Sequence, residues 1–275
     1  MSRIITAAIL LPFLIASILV SWLLPLFIAM IGAALGLALF EFWKLAQPRG
    51  LKKADLVVMY FGGGALFTVF CFNEPGLYVD VLMIQLILIG LTIGTLAAAT
   101  LRGAPFTNLV YSTGANLLGV LYIVLLGGHL VALRTGFTQK LSAHLLSFFF
   151  MVIMGSDSGA YYVGRAFGKR KLAPNISPGK TWEGVLGGVL AGLLMAVLSH
   201  YWFFKELPLK WTLPLGAVMV LLGIAGDLTE SALKRGAGAK DAASILPGHG
   251  GMLDRLDSLL FNAPVIYYFA RIYFQ

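Results

Sequence analysis

Residues 80–99 read DVLMIQLILIGLTIGTLAAA, a run in which Asp80 is the sole charged side chain. A helix of about 20 apolar residues crosses the hydrocarbon core of a bilayer, because each backbone N–H and C=O is satisfied within the helix itself. Working outward, runs of this kind recur along the whole chain. The predicted spans are residues 4–23, 25–45, 54–72, 80–99, 111–133, 143–165, 183–204, 210–230 and 257–274, with a tight turn near Pro25 between the first two. The expected fold class is therefore all-α: a polytopic integral membrane protein with about nine transmembrane helices. Barrel strands would instead be about 10 residues long and would alternate apolar with polar side chains.

Composition agrees. Hydrophobic residues make up 59% of the 275 and charged residues only 12%, against roughly 25% charged in soluble proteins. Mean hydropathy is +0.88. A net charge of +8 and a pI of 9.6 could suggest nucleic acid, but basic loops on one side of a membrane protein account for them, and no nucleic-acid partner is expected. Cys71 stands alone, which excludes an intrachain disulfide or a cysteine metal cluster. Arg3 before the first apolar run mimics a signal peptide, but the pattern continues throughout, so the run reads as an uncleaved first span. The whole of 1–275 reads as a single membrane domain, with 1–140 an N-terminal helical scaffold and 141–275 the helices and loops that hold the candidate catalytic residues described below.

The cations divide unequally between the two sides that this span count defines. The N-terminal side holds Arg3, four cations between 44 and 53, Arg102, five between 165 and 180, and four between 234 and 255. Arg134, Lys140, Lys205, Lys210 and Arg271 fall on the other side. The positive-inside rule then makes the N-terminal side cytoplasmic, and an odd number of spans places the C-terminus outside. Most acids gather on the same basic side.

Chemistry concentrates in residues 227–257, which pack carboxylates, cations, a histidine and glycines into an otherwise oily chain. Asp227, Glu230, Ser231 and Lys234 are spaced i, i+3, i+4, i+7 and share one helical face. A salt bridge between Glu230 and Lys234 is the structural reading of that face. Asp254 and Asp257, at i and i+3, follow His249, Gly250 and Gly251, where glycines permit close approach of backbone to a ligand. Asp227 and Asp254 offer the hard oxygen ligands that Mg²⁺ prefers beside substrate phosphates. Asp157 lies in an apolar helix, flanked by Ser156, Ser158 and Gly159, and an ionisable group there is functional by default. Gly179-Lys180-Thr181 resembles the end of a phosphate-binding P-loop, but Pro174 occupies the first glycine position, so the P-loop reading fails. Lys180 and Thr181 before a helix start still suit an anion. Glu41, beside Trp43 and Lys44, reads as an interfacial anchor, with a site role left open.

At this point the residues resemble a known family. Ser231-Ala-Leu-Lys234-Arg235, then Lys240-Asp241, then Leu246-Pro-Gly-His249-Gly250-Gly251-Met-Leu-Asp254-Arg255-Leu-Asp257 is similar to the C-terminal pattern of the phosphatidate cytidylyltransferases, or CDP-diacylglycerol synthases. Residues 156–161 and 177–184 look like the same family, so the motif resemblance covers roughly 155–257. The resemblance implies that CTP and phosphatidic acid give CDP-diacylglycerol and pyrophosphate with Mg²⁺, that a second, monovalent cation such as K⁺ takes part, and that the protein is a homodimer. It implies an enzyme of phospholipid biosynthesis in the cytoplasmic (inner) membrane, with its active site facing the cytoplasm. Residues and resemblance together assign Asp227, Asp254 and the weaker candidate Asp257 to the metal. Ser231, Lys234 and Asp157 join Asp227 and Asp254 in the catalytic set. Lys180, Thr181, Lys234, Arg235, Lys240, His249, Gly250, Gly251 and Arg255 are assigned to the nucleotide and its phosphates. The competing readings are a CTP-dependent polyprenol or lipid kinase and an ion-coupled membrane transporter.

Overall fold

A backbone that must hide its polar groups from lipid folds into helices, and the computed structural model, which describes residues 2–73, 80–102, 106–238 and 251–274, is helical almost throughout. The helices are α1 (Ser2–Leu19), α2 (Leu24–Ala46), α3 (Lys53–Cys71), α4 (Val81–Leu101), α5 (Leu109–Gly119), α6 (Leu126–Thr135), α7 (Gln139–Phe167), α8 (Trp182–Trp202), α9 (Leu209–Gly236) and α10 (Leu253–Phe274). A π-helical turn, Val120–Leu125, joins α5 to α6 into one span. Among the described residues, seven helices are long and apolar enough to cross a membrane. The chain is an all-α polytopic membrane protein. Each predicted span coincides with a helix or, for 111–133, with the joined pair, but α1 and α10, matching 4–23 and 257–274, are not among those seven.

Local chemistry sets the boundaries. Pro25 stands in the first turn of α2, where its missing N–H costs nothing. Asp80 caps α4 by accepting the Met83 N–H at 3.0 Å. Gly50, at φ 113°, takes the left-handed conformation that turns the chain after α2. The outer face of α4 exposes Leu82, Leu86, Ile89 and Ile93, as expected of lipid-facing helix, whereas Phe27, Met59, Phe70, Phe148 and Leu260 are fully buried between helices.

Long-range contacts sort the loops into two ends. At one, Arg49 donates to the Gly236 carbonyl, Arg235 to the Ile176 carbonyl, and Arg102 grips Asp55 through two bonds of 2.7 and 2.8 Å. Asn116 adds a third bond to Asp55 at 2.9 Å, fastening α3, α4 and α5 together. At the other, Arg134 donates to the Ser17 and Val20 carbonyls, and Lys140 pairs with Glu206 at 2.7 Å. This grouping matches the alternation expected from the span count. One feature was not expected: between α7 and α8 the chain forms a short antiparallel hairpin, β1 (Lys171–Ala173) and β2 (Ser177–Thr181), with Lys171 opposite Thr181.

Candidate active site

On α9 the predicted face is real. Ser231 Oγ donates to Asp227 Oδ1 at 3.5 Å, and Lys234 Nζ pairs with Glu230 Oε2 at 2.8 Å. The i, i+4 pair is not a solvated surface bridge, because Glu230 is only 1% exposed. Lys234 also crosses to α10 and holds Asp254 Oδ1 at 2.5 Å. The second oxygen of Asp254 accepts the Gly251 N–H at 2.9 Å. One ammonium thus bridges two carboxylates from different helices.

The contact between α9 and α10 depends on Gly226. A Cβ there would lie 2.4 Å from the backbone carbonyl of Asp257, so only glycine lets the two helices approach this closely. Asp257 Oδ1 accepts the Ser258 N–H at 2.6 Å. The α7–α8 contact is equally bare: a Cβ on Gly159 would lie 2.6 Å from the Gly187 carbonyl. This packing sets Asp157, which opens into a cavity of about 490 Å³. That volume lies in the range of ligand sites.

The hairpin supplies the opposite wall. Glu183, in the first turn of α8, accepts the Lys169 and Arg170 N–H groups at 3.0 and 3.2 Å. Thr181 caps α8 by accepting the Gly184 N–H at 3.1 Å. Lys180 is thereby held over the cavity, and its Nζ pairs with Asp227 Oδ2 at 2.6 Å. Asp157, Lys180, Thr181 and Asp227 all line this cavity, with Tyr161 and Arg165 beside them. Asp157, Asp227 and Asp257 lie within electrostatic reach of one another, and Lys180 opposes their mutual repulsion.

The predicted residues therefore fall into groups. Asp157, Lys180 and Asp227 meet at the cavity, and Ser231 touches Asp227. Lys234 and Asp254 form an adjoining cluster, with the Gly251 amide given to Asp254. Thr181 is 5% exposed, and its hydroxyl serves the helix cap. Arg235 binds the hairpin through the Ile176 carbonyl at 3.3 Å. Arg255 is exposed on the first turn of α10. Lys240, His249 and Gly250 lie outside the described residues.

Two further residues belong to this region. Glu41 is not an interfacial anchor: it is 0% exposed, and its carboxylate accepts the Met252 and Leu253 N–H groups, each at 2.8 Å. A carboxylate within the apolar run of 24–46 was the available signal, but the neighbouring Trp43 and Lys44 made it look superficial. Tyr122, in the π-helical turn, is 6% exposed, lies edge-on to Phe261, and is within electrostatic reach of Asp227, Glu230 and Asp257. Nothing in its sequence context marks it, since a π-turn has no simple sequence signature; such turns nonetheless recur at functional sites.

Among the described residues no three carboxylates or histidines converge into a ready-made cation cage. The donor set still fits Mg²⁺. Mg²⁺ keeps several waters and needs only one or two protein carboxylates beside substrate phosphates, and Asp227 and Asp157 face the cavity with the Ser231 hydroxyl alongside.

Residues 1–273 match the model of the Cytidylyltransferase family. The chain belongs to that family. It is 38% identical over 268 residues to a phosphatidate cytidylyltransferase of Pseudomonas aeruginosa, covering 96% of this chain and 94% of that protein. It is 46% identical over 129 residues to the phosphatidate cytidylyltransferase of Haemophilus influenzae, and 46% identical over 123 residues to that of Bacillus subtilis. These two alignments cover 46% and 45% of this chain, and 45% and 46% of the relatives. Family membership thus extends over the N-terminal helices, which the motifs alone did not reach.

Proposed function

We propose that this chain transfers the cytidylyl group of CTP to phosphatidate, releasing pyrophosphate and forming CDP-diacylglycerol. The observation that carries this reading is the 2.6 Å pair between Lys180 and Asp227 across the cavity, which brings the two charged motifs into one polar site at the end of an apolar helix bundle. A lipid acceptor stays in the membrane while a nucleotide arrives from water, and such a site serves both.

In the reaction, an oxygen of the phosphatidate phosphate attacks the α-phosphorus of CTP, and the bond from that phosphorus to the bridging oxygen breaks. A phosphate monoester with a second pKa of about 6 is already ionised near neutrality, so the nucleophile needs no strong base. The protein positions the two phosphates and neutralises their charge. Asp227 and Asp157 at the cavity would hold Mg²⁺, with Asp254 and Asp257 contributing from the adjoining turn of α10, and the ion would draw charge from the triphosphate. Lys180 and Lys234 now rest on carboxylates, and each turns to phosphate oxygen when the polyanion enters. Asp157 orients a cation or a water at the cavity wall. Arg235 and Arg255 add positive charge at the same end, and Lys240 is assigned to the phosphates from its motif.

The comparisons support cytidylyl transfer and give no support to a lipid kinase or a transporter. The basic end faces the cytoplasm of a bacterial inner membrane, and two copies form a homodimer. A pyrophosphate-release assay in detergent micelles tests the reaction: release should require both CTP and phosphatidate and match CDP-diacylglycerol one for one. Release without lipid product would refute it.

A further inference from the structure

We infer that Glu41 of α2 is a positioning residue for the reaction centre, acting through the first turn of α10. The inference rests on the assignment of Asp254 to that centre. Three consecutive amides lead into this helix, and a carboxylate takes each one. Gly251 N–H goes to Asp254, while Met252 and Leu253 N–H go to Glu41. The opening amides of a helix have no partner in their own helix, and a local Ser, Thr, Asp or Asn normally supplies one. Here the cap for two of them comes from 211 and 212 residues away and is fully buried.

The consequence is geometric. Asp254 Oδ1 is fixed by Lys234 of α9, and Oδ2 by the Gly251 amide. Gly251 is held by the same turn that Glu41 grips. Without Glu41, the turn that carries Asp254 keeps its link to α9 through Lys234 but loses its hydrogen bonds to α2, and any shift of that turn carries the carboxylate with it. The N-terminal helices thus extend their hold to the chemistry by one buried side chain. Removing a partner that orients a metal-binding ligand typically costs about 10–100-fold in metal affinity or activity.

Glu41→Gln keeps the volume and one acceptor oxygen but loses the charge and presents an NH₂ to an N–H. In detergent micelles, kcat per folded enzyme should fall ~10–100-fold, with KM for phosphatidate nearly unchanged. Hydrogen exchange should speed up in a peptide covering 251–257 while peptides from α7 and α8 keep wild-type protection. Unchanged kcat would overturn the inference. So would a loss of activity matched by faster exchange throughout the protein, because Glu41 would then be holding up the fold and nothing finer. If Glu41→Gln does not fold, Glu41→Asp keeps the charge and reaches fewer amides, and the same two readouts decide. An active Asp254→Asn enzyme would instead refute the site assignment, independently of what Glu41→Gln does.

Discussion

Asp254 shows how closely single residues determine this site. It is fixed by an ammonium from α9 and an amide from its own turn, so Asp254→Asn removes charge with almost no change in volume. We expect that variant to be folded and without turnover at saturating Mg²⁺; near-normal activity would remove Asp254 from the centre. Lys234→Ala is a different kind of change. It strands Glu230 and Asp254 without their common counter-ion, and breaking a buried pair costs on the order of 3 kcal/mol. A clear drop in Tm should therefore accompany the lost activity. Lys52, by contrast, is an exposed cation outside the cavity, and Lys52→Ala should keep most of its activity. At this scale the sequence was informative where local pattern could act: the 227–234 face was legible from periodicity, Asp157 from the cost of charge in an apolar segment, and Lys180 from its place just before a helix start. Glu41 was seen but misjudged, and Tyr122 was invisible, because both depend on which distant helix happens to pack against them.

At the level of elements, close helix contacts are held by bare backbone. Gly226→Ala would place a methyl against the Asp257 carbonyl, and the backbone cannot move away without shifting α10. We expect a loss of about 1–3 kcal/mol in stability and up to about 100-fold in rate, since small displacements of positioned groups are expensive. Enzyme assays and thermal unfolding of the purified variant check both. The connection from α8 to α9 offers a separate test. The Lys140 ammonium beside Glu206 holds its carboxyl below the usual carboxylate range. Its contribution to stability is therefore present above the unfolded value of about 4.3 and is lost as pH falls through the lower native value. Glu206 is a partly exposed group, so screening keeps the effect small. In Glu206→Gln, Tm should fall less steeply with acid in this window than in the wild type. The helices themselves were legible because lipid leaves the backbone few options. The hairpin between α7 and α8 was not, since its residues alternate weakly and are shaped by Glu183 binding back to Lys169 and Arg170.

Over the whole molecule, the two sets of end contacts make a topological claim. Arg49, Arg235 and Lys180 gather at one end, and Arg134, Lys140 and Glu206 at the other. With Cys71 replaced by Ser, a single cysteine at position 169 should react with an impermeant thiol reagent only in inside-out vesicles. One at position 205 should react only in right-side-out vesicles. The reverse pattern would turn the proposed orientation over. The central claim is the reaction itself, and it is tested most directly with phosphatidate, Mg²⁺ and CTP labelled at either the α- or the γ-phosphate. Label should enter the lipid from α-labelled CTP alone. Label entering from γ-labelled CTP would make this a kinase and contradict the account.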